Sequence, residues 1–558
     1  MPDTFLITSA LLYANGKVHF GHLAGAYLPA DMYARYLRMK QKEVLFISGS
    51  DEYGIAITLS AELEKRSPAE QVDHYHAINE ALMQKMQISF DYYGRTTGPH
   101  HKPCVDQFFL DLYKNGYIEE KTVPELYSEV EGRFLADRYV EGICPKCGFD
   151  EARGDECPRC AANYEAKDLK NPRSKLTKTP LVLKETRHWF LQLEKFKQRL
   201  VEFVKHKEWK SNVTHFVLPY IEDLHERAIS RDLKWGVPIP LADAEGKVLY
   251  VWFDAPIGYI SITKEWAEKM QNPSLWEKFW LDPGVRYTQF IGKDNIVFHA
   301  LFFPAMVMGQ NIPYKQVDTI VASEFLNLEK KQFSKSSGWY IDLEAFLKDF
   351  SSDSIRFALL ANSPETQDAE FTFDDFFQKC NGDLVGKFGN LVHRTLHFLR
   401  EFLEGRIPEP SAYTEDDEAL LAAMEVAVHA IDIAYGENKN RKAIAAILDL
   451  CSLGNAYFDK KAPWKLNKDK EKRLELETIF YVLLTLIKNL AVVAFPVVPD
   501  AMQRLWQFLG FTTSLDSGNF DELIKDGLIP NTSLPAPHPL FAKIDPALLN
   551  RWKLTLPR

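Results

Sequence analysis

The opening segment constrains this chain most. An apolar run, Thr4-Phe5-Leu6-Ile7-Thr8-Ser9-Ala10-Leu11-Leu12, leads into a helical pattern over 23–40, and Val44-Leu45-Phe46-Ile47 returns as a second apolar run. Strand, helix and strand at this spacing predict a crossover unit whose strands are parallel and buried. Between the first strand and the helix stands His19-Phe20-Gly21-His22. Two histidines thus open a helix, and Gly21 lets backbone come close. Free N–H groups and the helix dipole there favour an anion such as triphosphate.

The remaining length limits what surrounds this unit. At 558 residues the chain is too long for one core and predicts three or four domains or subdomains. Its 46% hydrophobic and 26% charged residues are ordinary for a globular protein. The apolar runs fall short of a membrane span and no signal or transit segment is visible, so the expectation is a cytoplasmic chain with no membrane partner. A net charge of −10 argues against a general nucleic-acid coat, yet leaves room for a local RNA-binding face. Basic clusters occur at 170–187 and 460–473, and solvated surface charge explains either as well as RNA contact does.

A second signature, Phe333-Ser334-Lys335-Ser336, puts a lysine among small hydroxyl residues on a loop, which suits charge developing on a phosphorus centre. Each signature alone is weak. Together, in this order, they resemble the nucleotide-binding pair of the class I aminoacyl-tRNA synthetases. Gln332 stands where that family usually has lysine, and Ser337 where arginine often follows.

Four of the seven cysteines form Cys144-Pro145-Lys146-Cys147 and Cys157-Pro158-Arg159-Cys160. Two close C-x-x-C pairs predict a closed tetrahedral zinc site, which leaves no position for water and is therefore structural. Paired disulfides are the alternative and suit a cytosolic chain poorly. Residues 127–134 carry no second cysteine knuckle, so one zinc is expected. Cys104, Cys380 and Cys451 stand apart as buried or incidental thiols.

Within class I, the resemblance is to the methionyl-tRNA synthetases and covers almost the whole chain. It is carried by Leu11-Leu12-Tyr13-Ala14-Asn15-Gly16, Gly49-Ser50-Asp51-Glu52-Tyr53-Gly54, the segment from Tyr250 to Tyr259, and Phe290-Ile291-Gly292-Lys293-Asp294 through His299. The resemblance implies that Leu11, Tyr13, Trp252, Ala255, Pro256, Tyr259 and His299 wall a methionine pocket and that Asp51 takes the substrate ammonium. It also implies nucleotide binding by His19, Gly21, His22, Lys293, Asp294, Ser334, Lys335 and Ser336, with His19, His22 and Lys335 catalytic. An apolar, polarisable thioether suits a slot of Trp and Tyr. The segment between the catalytic halves is too short for an editing domain, which weighs against the isoleucyl, valyl and leucyl enzymes.

From Asp374 onward the pattern is helical and resembles the anticodon-binding bundle of class I. There Asn390 and Arg394 share a helix face, and Trp464 offers an indole for base stacking, so the resemblance implies contacts from these three to the anticodon. The implied fold is α/β: a Rossmann-like, doubly wound parallel-sheet catalytic domain with a zinc-knuckle insertion, then an α-helical bundle. Its divisions are the first catalytic half (1–115), the insertion (116–230), the second catalytic half (231–325), a signature-loop and stem-contact region (326–373), the helical domain (374–535) and a tail folding back on the catalytic half (536–558). No appended dimerising module follows, so a monomer is expected. The implied reaction joins L-methionine to tRNA(Met) through methionyl adenylate, with Mg²⁺ accompanying ATP. The rivals are a cysteinyl-type synthetase, a nucleotidyltransferase sharing the histidine signature, and a catalytically dead tRNA-binding protein.

Overall fold

The computed structural model describes residues 3–135, 139–154, 157, 159–160, 164–333 and 338–557. Its central sheet holds β1 (Thr4–Ser9), β2 (Glu43–Asp51), β3 (Tyr92–Arg95), β4 (Arg286–Gly292) and β5 (Thr319–Ser323). All pairs are parallel, in the spatial order β5-β4-β1-β2-β3. After a break at Ala10–Leu11, the line of β1 resumes as the short strand Leu12–Tyr13, which also pairs with β2. Both faces of the sheet are covered, which is why β1 and β2 are buried almost throughout rather than at alternate residues.

The chain winds outward from β1 to β2 and β3, then returns to place β4 and β5 on the other side. The order therefore reverses at β1, and the carboxyl ends of β1 and β4 frame a crevice. On one face of β2 and β3, Gly49 and Gly94 sit opposite each other in register. A Cβ at Gly49 would lie 2.4 Å from the Gly94 carbonyl oxygen, and one at Gly94 would lie 2.7 Å from Ile262. The bare pair lets the helix Gly258–Lys269 press directly onto the strands.

The crossover helix runs from Phe20 to Met39 but widens over Leu23–Tyr27, where the Leu28 N–H reaches back to the Leu23 carbonyl. Pro29 follows at once. Proline cannot donate to the carbonyl four residues before it and crowds that turn, and one wider turn relieves both problems. The same device recurs at Phe298–Phe302, just before Pro304.

The insertion is built on a long antiparallel pair, Ile118–Ser128 with Val182–Leu191. Its tip carries a small sheet of Val140–Ile143, Ala152–Arg153 and Lys170–Ser174. That tip buries Leu126, Leu135, Val140, Cys144 and Cys157 against Ile55 and Leu59 of the helix Ile55–Glu64, which follows directly after β2. Three of the six basic residues at 170–187 are matched by carboxylates: Arg173 and Lys178 bind Glu141, and Arg187 binds Glu120 and Asp243.

Helices Ser352–Ala361, Asn390–Leu403, Glu415–Gly436, Asn440–Lys461 and Arg473–Ala494 form the second half, and one hydrophobic core runs from them into the face of the central sheet. Two helical stretches, Glu415–Gly436 and Lys470–Ala494, are long and apolar enough by composition to cross a membrane, contrary to the expectation from run length. The second is 83% buried and serves as the central post of the bundle. The two halves are locked by Arg356, which is fully buried. Its guanidinium donates to the carbonyls of Met86, Pro496 and Val497 and to the Asp31 carboxylate at 2.6 Å. Burial alone would raise the Asp31 carboxyl, but Arg35, Arg356 and the Ser89 hydrogen bonds hold it at about 2.

Candidate active site

A cavity of about 900 Å³ opens at the carboxyl ends of the strands, where the strand order reverses. Residues 10–13 beyond β1, Asp51 of β2, Gly292 and Asp294 at the end of β4, and Glu324 beyond β5 all line it. Of the residues expected to bind methionine, Leu11, Tyr13, Asp51, Trp252, Ala255, Pro256, Tyr259 and His299 all lie on its wall. His19, Gly21, His22 and Asp294 from the expected nucleotide set share it. Ser334, Lys335, Ser336 and Ser337 lie outside the described residues.

The histidine signature caps its own helix. The Gly21 N–H donates to His19 Nδ1 at 3.1 Å, and the His19 N–H donates to His22 Nδ1 at 3.3 Å. Each Nδ1 is therefore an acceptor, so a neutral ring carries its proton on Nε2 and is a donor there. The rings stack 3.7 Å apart. A Cβ at Gly21 would meet the His19 ring at 3.0 Å, so glycine is what permits the fold-back. Phe333 continues the stack, parallel to His19 within 5° at a centroid distance of 5.2 Å. Nothing local to Phe333 singles it out beyond its place in the second signature.

At the other end Asp51 is 3% exposed, and its Oδ1 has no hydrogen-bond partner among the described residues. Burial drives its carboxyl well above the ordinary range, and the neighbouring Asp254 carboxyl adds to the shift. A buried carboxylate oxygen on a cavity wall is costly unless a cation arrives to pair with it. Asp254, which the sequence reading did not assign, is fully buried behind this site with its Oδ2 3.3 Å from His101 Nε2.

Tyr259 and His299 form a fixed pair. His299 Nδ1 lies 3.0 Å from the Asn295 carbonyl, which can only accept, so that nitrogen carries the proton. Burial lowers the imidazole to about 4 and keeps it neutral. Its Nε2 then accepts from the Tyr259 hydroxyl at 2.9 Å. Trp252 is held flat against Phe298 at 3.7 Å, with Tyr13 edge-on to it. The result is an apolar aromatic slot leading from a carboxylate.

Towards the second signature, Gln332 and Phe333 reach the cavity, and the strand Leu326–Leu328 lies beneath them. Lys293 is not on the wall: its ammonium bridges Glu324 at 2.9 Å and Asp368 at 2.7 Å. Lys331 sits 4.2 Å over the Trp339 ring. Beyond the loop, Asp342 caps the next helix and binds Lys17, two residues before the histidine signature.

Away from the cavity, the four thiols of Cys144, Cys147, Cys157 and Cys160 lie within 4.8 Å of one another, with Sγ–Sγ separations of 3.8 Å for 144–160 and 3.6 Å for 147–157. These are not disulfides. Zinc–sulfur bonds of about 2.3 Å give a tetrahedron edge of about 3.8 Å, so the donor set fits a closed zinc site. Cys104, Cys380 and Cys451 are buried single thiols.

Two family models together match nearly the whole chain: "tRNA synthetases class I (M)" over residues 5–396 and "Anticodon binding domain of methionyl tRNA ligase" over 407–556. The chain is 53% identical over 556 residues to the methionine–tRNA ligase of Protochlamydia amoebophila, covering 100% of this chain and 80% of that protein. It is 49% identical over 522 residues to the methionine–tRNA ligase of Chlamydia caviae, covering 94% of each. The chain belongs to the class I methionyl-tRNA synthetase family. Its fold agrees with a solved structure of Mycobacterium tuberculosis methionyl-tRNA synthetase in complex with methionyl-adenylate, with a TM-score of 0.81 at 24% identity over 96% of this chain and 99% of that one.

In this methionyl-tRNA synthetase fold, the three residues expected at the anticodon meet on one end of the bundle. Asn390 Nδ2 lies 3.2 Å from Asn455 Oδ1, and Arg394 binds Asp459 at 2.7 Å while lying 4.4 Å over the Phe458 ring. Trp464 stacks on Phe458 at 5.9 Å, and Arg394 sits 6.0 Å from the Trp464 ring. All three are half-buried. Asn455, Phe458 and Asp459, which orient them, come from the helix Asn440–Lys461 and were not read from the sequence.

Proposed function

We infer that the chain is a methionine–tRNA ligase: it activates L-methionine with ATP and transfers it to tRNA(Met), releasing diphosphate and then AMP. The observation that carries this reading at the level of the site is Asp51, a buried carboxylate with one unpartnered oxygen, which lines the same cavity as the aromatic slot of Tyr13, Trp252 and Tyr259. An α-ammonium there fixes the amino acid, and a thioether fills the slot.

The methionine carboxylate oxygen attacks the α-phosphorus of ATP, the bond to the bridging oxygen breaks and diphosphate leaves. The terminal ribose hydroxyl of the tRNA then attacks the adenylate carbonyl, and AMP leaves. We assign His19 and His22, as Nε2–H donors, and Lys335, as a positive charge, to the oxygens that gain charge in the first step. Gly21 admits the phosphates to the helix start, with Asp294, Ser334 and Ser336 as further nucleotide contacts. Lys293 acts through Glu324, which it holds at the cavity wall. Mg²⁺ accompanies ATP as part of the substrate. Positioning and electrostatics supply the acceleration, without a dedicated acid–base pair.

Cys144, Cys147, Cys157 and Cys160 hold one structural zinc, and Asn390, Arg394 and Trp464 read the anticodon. The chain divides into a first catalytic half (1–115), the insertion (116–230), a second catalytic half (231–325), the signature-loop region (326–373), the helical domain (374–535) and the tail (536–558). We also propose that the enzyme works as a monomer in the cytoplasm, a reducing compartment that suits its free thiols. Methionine-dependent ATP–diphosphate exchange, followed by charging of tRNA(Met), tests the reading. Exchange driven by another amino acid, or none with methionine, would refute it.

A further inference from the structure

On the opposite side of the sheet from the adenylate cavity, a second cleft of about 720 Å³ opens at the amino ends of β4 and β5. Its lining includes the segment 206–208, Arg286 and Thr319 at the strand ends, and the turn 436–439 between two helices of the second half. Lys207 and Lys315 point into it with side chains only 16% and 13% exposed, and both share the single carboxylate of Asp318, at 3.4 and 3.0 Å. The Tyr287 N–H occupies Asp318 as well.

Arg286 has no carboxylate partner among the described residues; its guanidinium reaches only the Thr319 hydroxyl at 3.3 Å. Lys207 and Lys315 thus share one carboxylate, with the exposed Arg286 beside them; over the whole lining these three cations and Lys439 meet the carboxylates of Glu208, Asp318 and Glu437, which leaves one positive charge uncompensated. At the rim Lys439 is matched by Glu437 at 2.7 Å, and Glu208 is exposed. Burial lowers the Lys207 ammonium; Asp318 opposes that, while Lys315 and Arg286 reinforce it. In a chain of net charge −10 this is a local excess of the opposite sign.

Cations that repel one another around a concave site are relieved by an anion that binds several of them at once. We propose that this cleft binds a small phosphate-class anion, a diphosphate or the phosphate end of a nucleotide. Two features favour a small ligand over RNA backbone. Lys207 and Lys315 meet on one carboxylate rather than following an outer track. The turn 436–439 also lies a full 22-residue helix, about 33 Å, from the bundle end that carries Trp464.

The test compares diphosphate binding by the whole chain with that of Arg286→Gln and Lys439→Gln, by calorimetry at low ionic strength. Both substituted side chains are exposed and lie outside the adenylate cavity. The expected result is a second diphosphate site per chain that weakens tenfold or more in Arg286→Gln, less in Lys439→Gln, and fades with added salt. Methionine-dependent exchange should stay at the wild-type rate in both variants, which separates this site from the catalytic one. The same stoichiometry and affinity in wild type and Arg286→Gln would overturn the proposal. So would a wild type without the second site whose variants instead lose affinity for tRNA(Met).

Discussion

Asp51→Asn removes one charge from the site and keeps its shape. If the unpartnered carboxylate oxygen receives the methionine ammonium, the variant leaves a buried cation without its counter-charge. Removing one partner of a buried pair costs about 3–5 kcal/mol, or roughly two to three and a half orders of magnitude in affinity. The gain available to the wild type is smaller at low pH, because its carboxyl is raised well above the ordinary range and must first ionise. Each pH unit below that raised value takes back about 1.4 kcal/mol. Wild-type affinity for methionine should therefore climb with pH until Asp51 is ionised and then level off. The variant should show no such climb, so the gap between them widens with pH.

Stability should move the other way. A carboxyl raised by folding binds more protons in the native state. The free enzyme therefore loses stability as pH rises from the ordinary carboxylate range to the raised value. Asn lacks this penalty, so free Asp51→Asn should melt no lower than wild type near neutral pH and gain less from added methionine. The assays are the methionine and ATP KM values in ATP–diphosphate exchange and thermal melting with and without methionine. A methionine KM within about threefold of wild type, or a free variant that melts well below it, would mean that Asp51 is satisfied within the fold and does not receive the ammonium.

Phe333→Ala removes the ring stacked on His19, so adenylate formation should slow by roughly tenfold with little change in methionine KM, and Phe333→Trp should recover most of the loss; equal loss in both variants would make Phe333 a packing residue only. Trp464→Ala and Arg394→Ala should cut tRNA charging by roughly ten- to a hundredfold, the worth of about 1–3 kcal/mol of stacking, while exchange stays near normal. A parallel fall in both assays would assign them to the bundle core. One closed cysteine site predicts about one zinc per chain by metal analysis, and Cys157→Ser should lower melting temperature before it lowers the rate of chemistry, since the site has no open position.

The parts of this site that were legible in the sequence are those whose chemistry is local. His19 and His22 take their orientation from backbone N–H groups two and three residues away, and Cys144-Pro145-Lys146-Cys147 is a turn. The apolar runs of β1 and β2 follow from a sheet covered on both faces. What stayed hidden depends on register between distant segments. Phe298 matters because it lies flat on Trp252, Asp254 because the fold sets it behind Asp51, and Lys293 because Glu324 and Asp368 come to it from β5 and beyond. The long pairing of Ile118–Ser128 with Val182–Leu191 brackets the whole knuckle, and its charged, exposed faces gave no apolar alternation to read.

The widened turns are a different case, because their cause is written in the chain. Pro29 and Pro304 each follow one such turn, and those turns put Gly25, Ala26 and Tyr27 on one wall of the cavity and His299 on another. A regular helix would rotate every residue beyond the turn by about 100° for the one residue it omits. Proline, read only as a helix breaker, conceals this. Read as the loss of one N–H and a clash with the preceding turn, Pro29 and Pro304 account for where these two helices open and so for which side chains face the cavity, although Pro219 sits within the helix Ser211–Glu222 and Gln378–Gly389 widens without a proline.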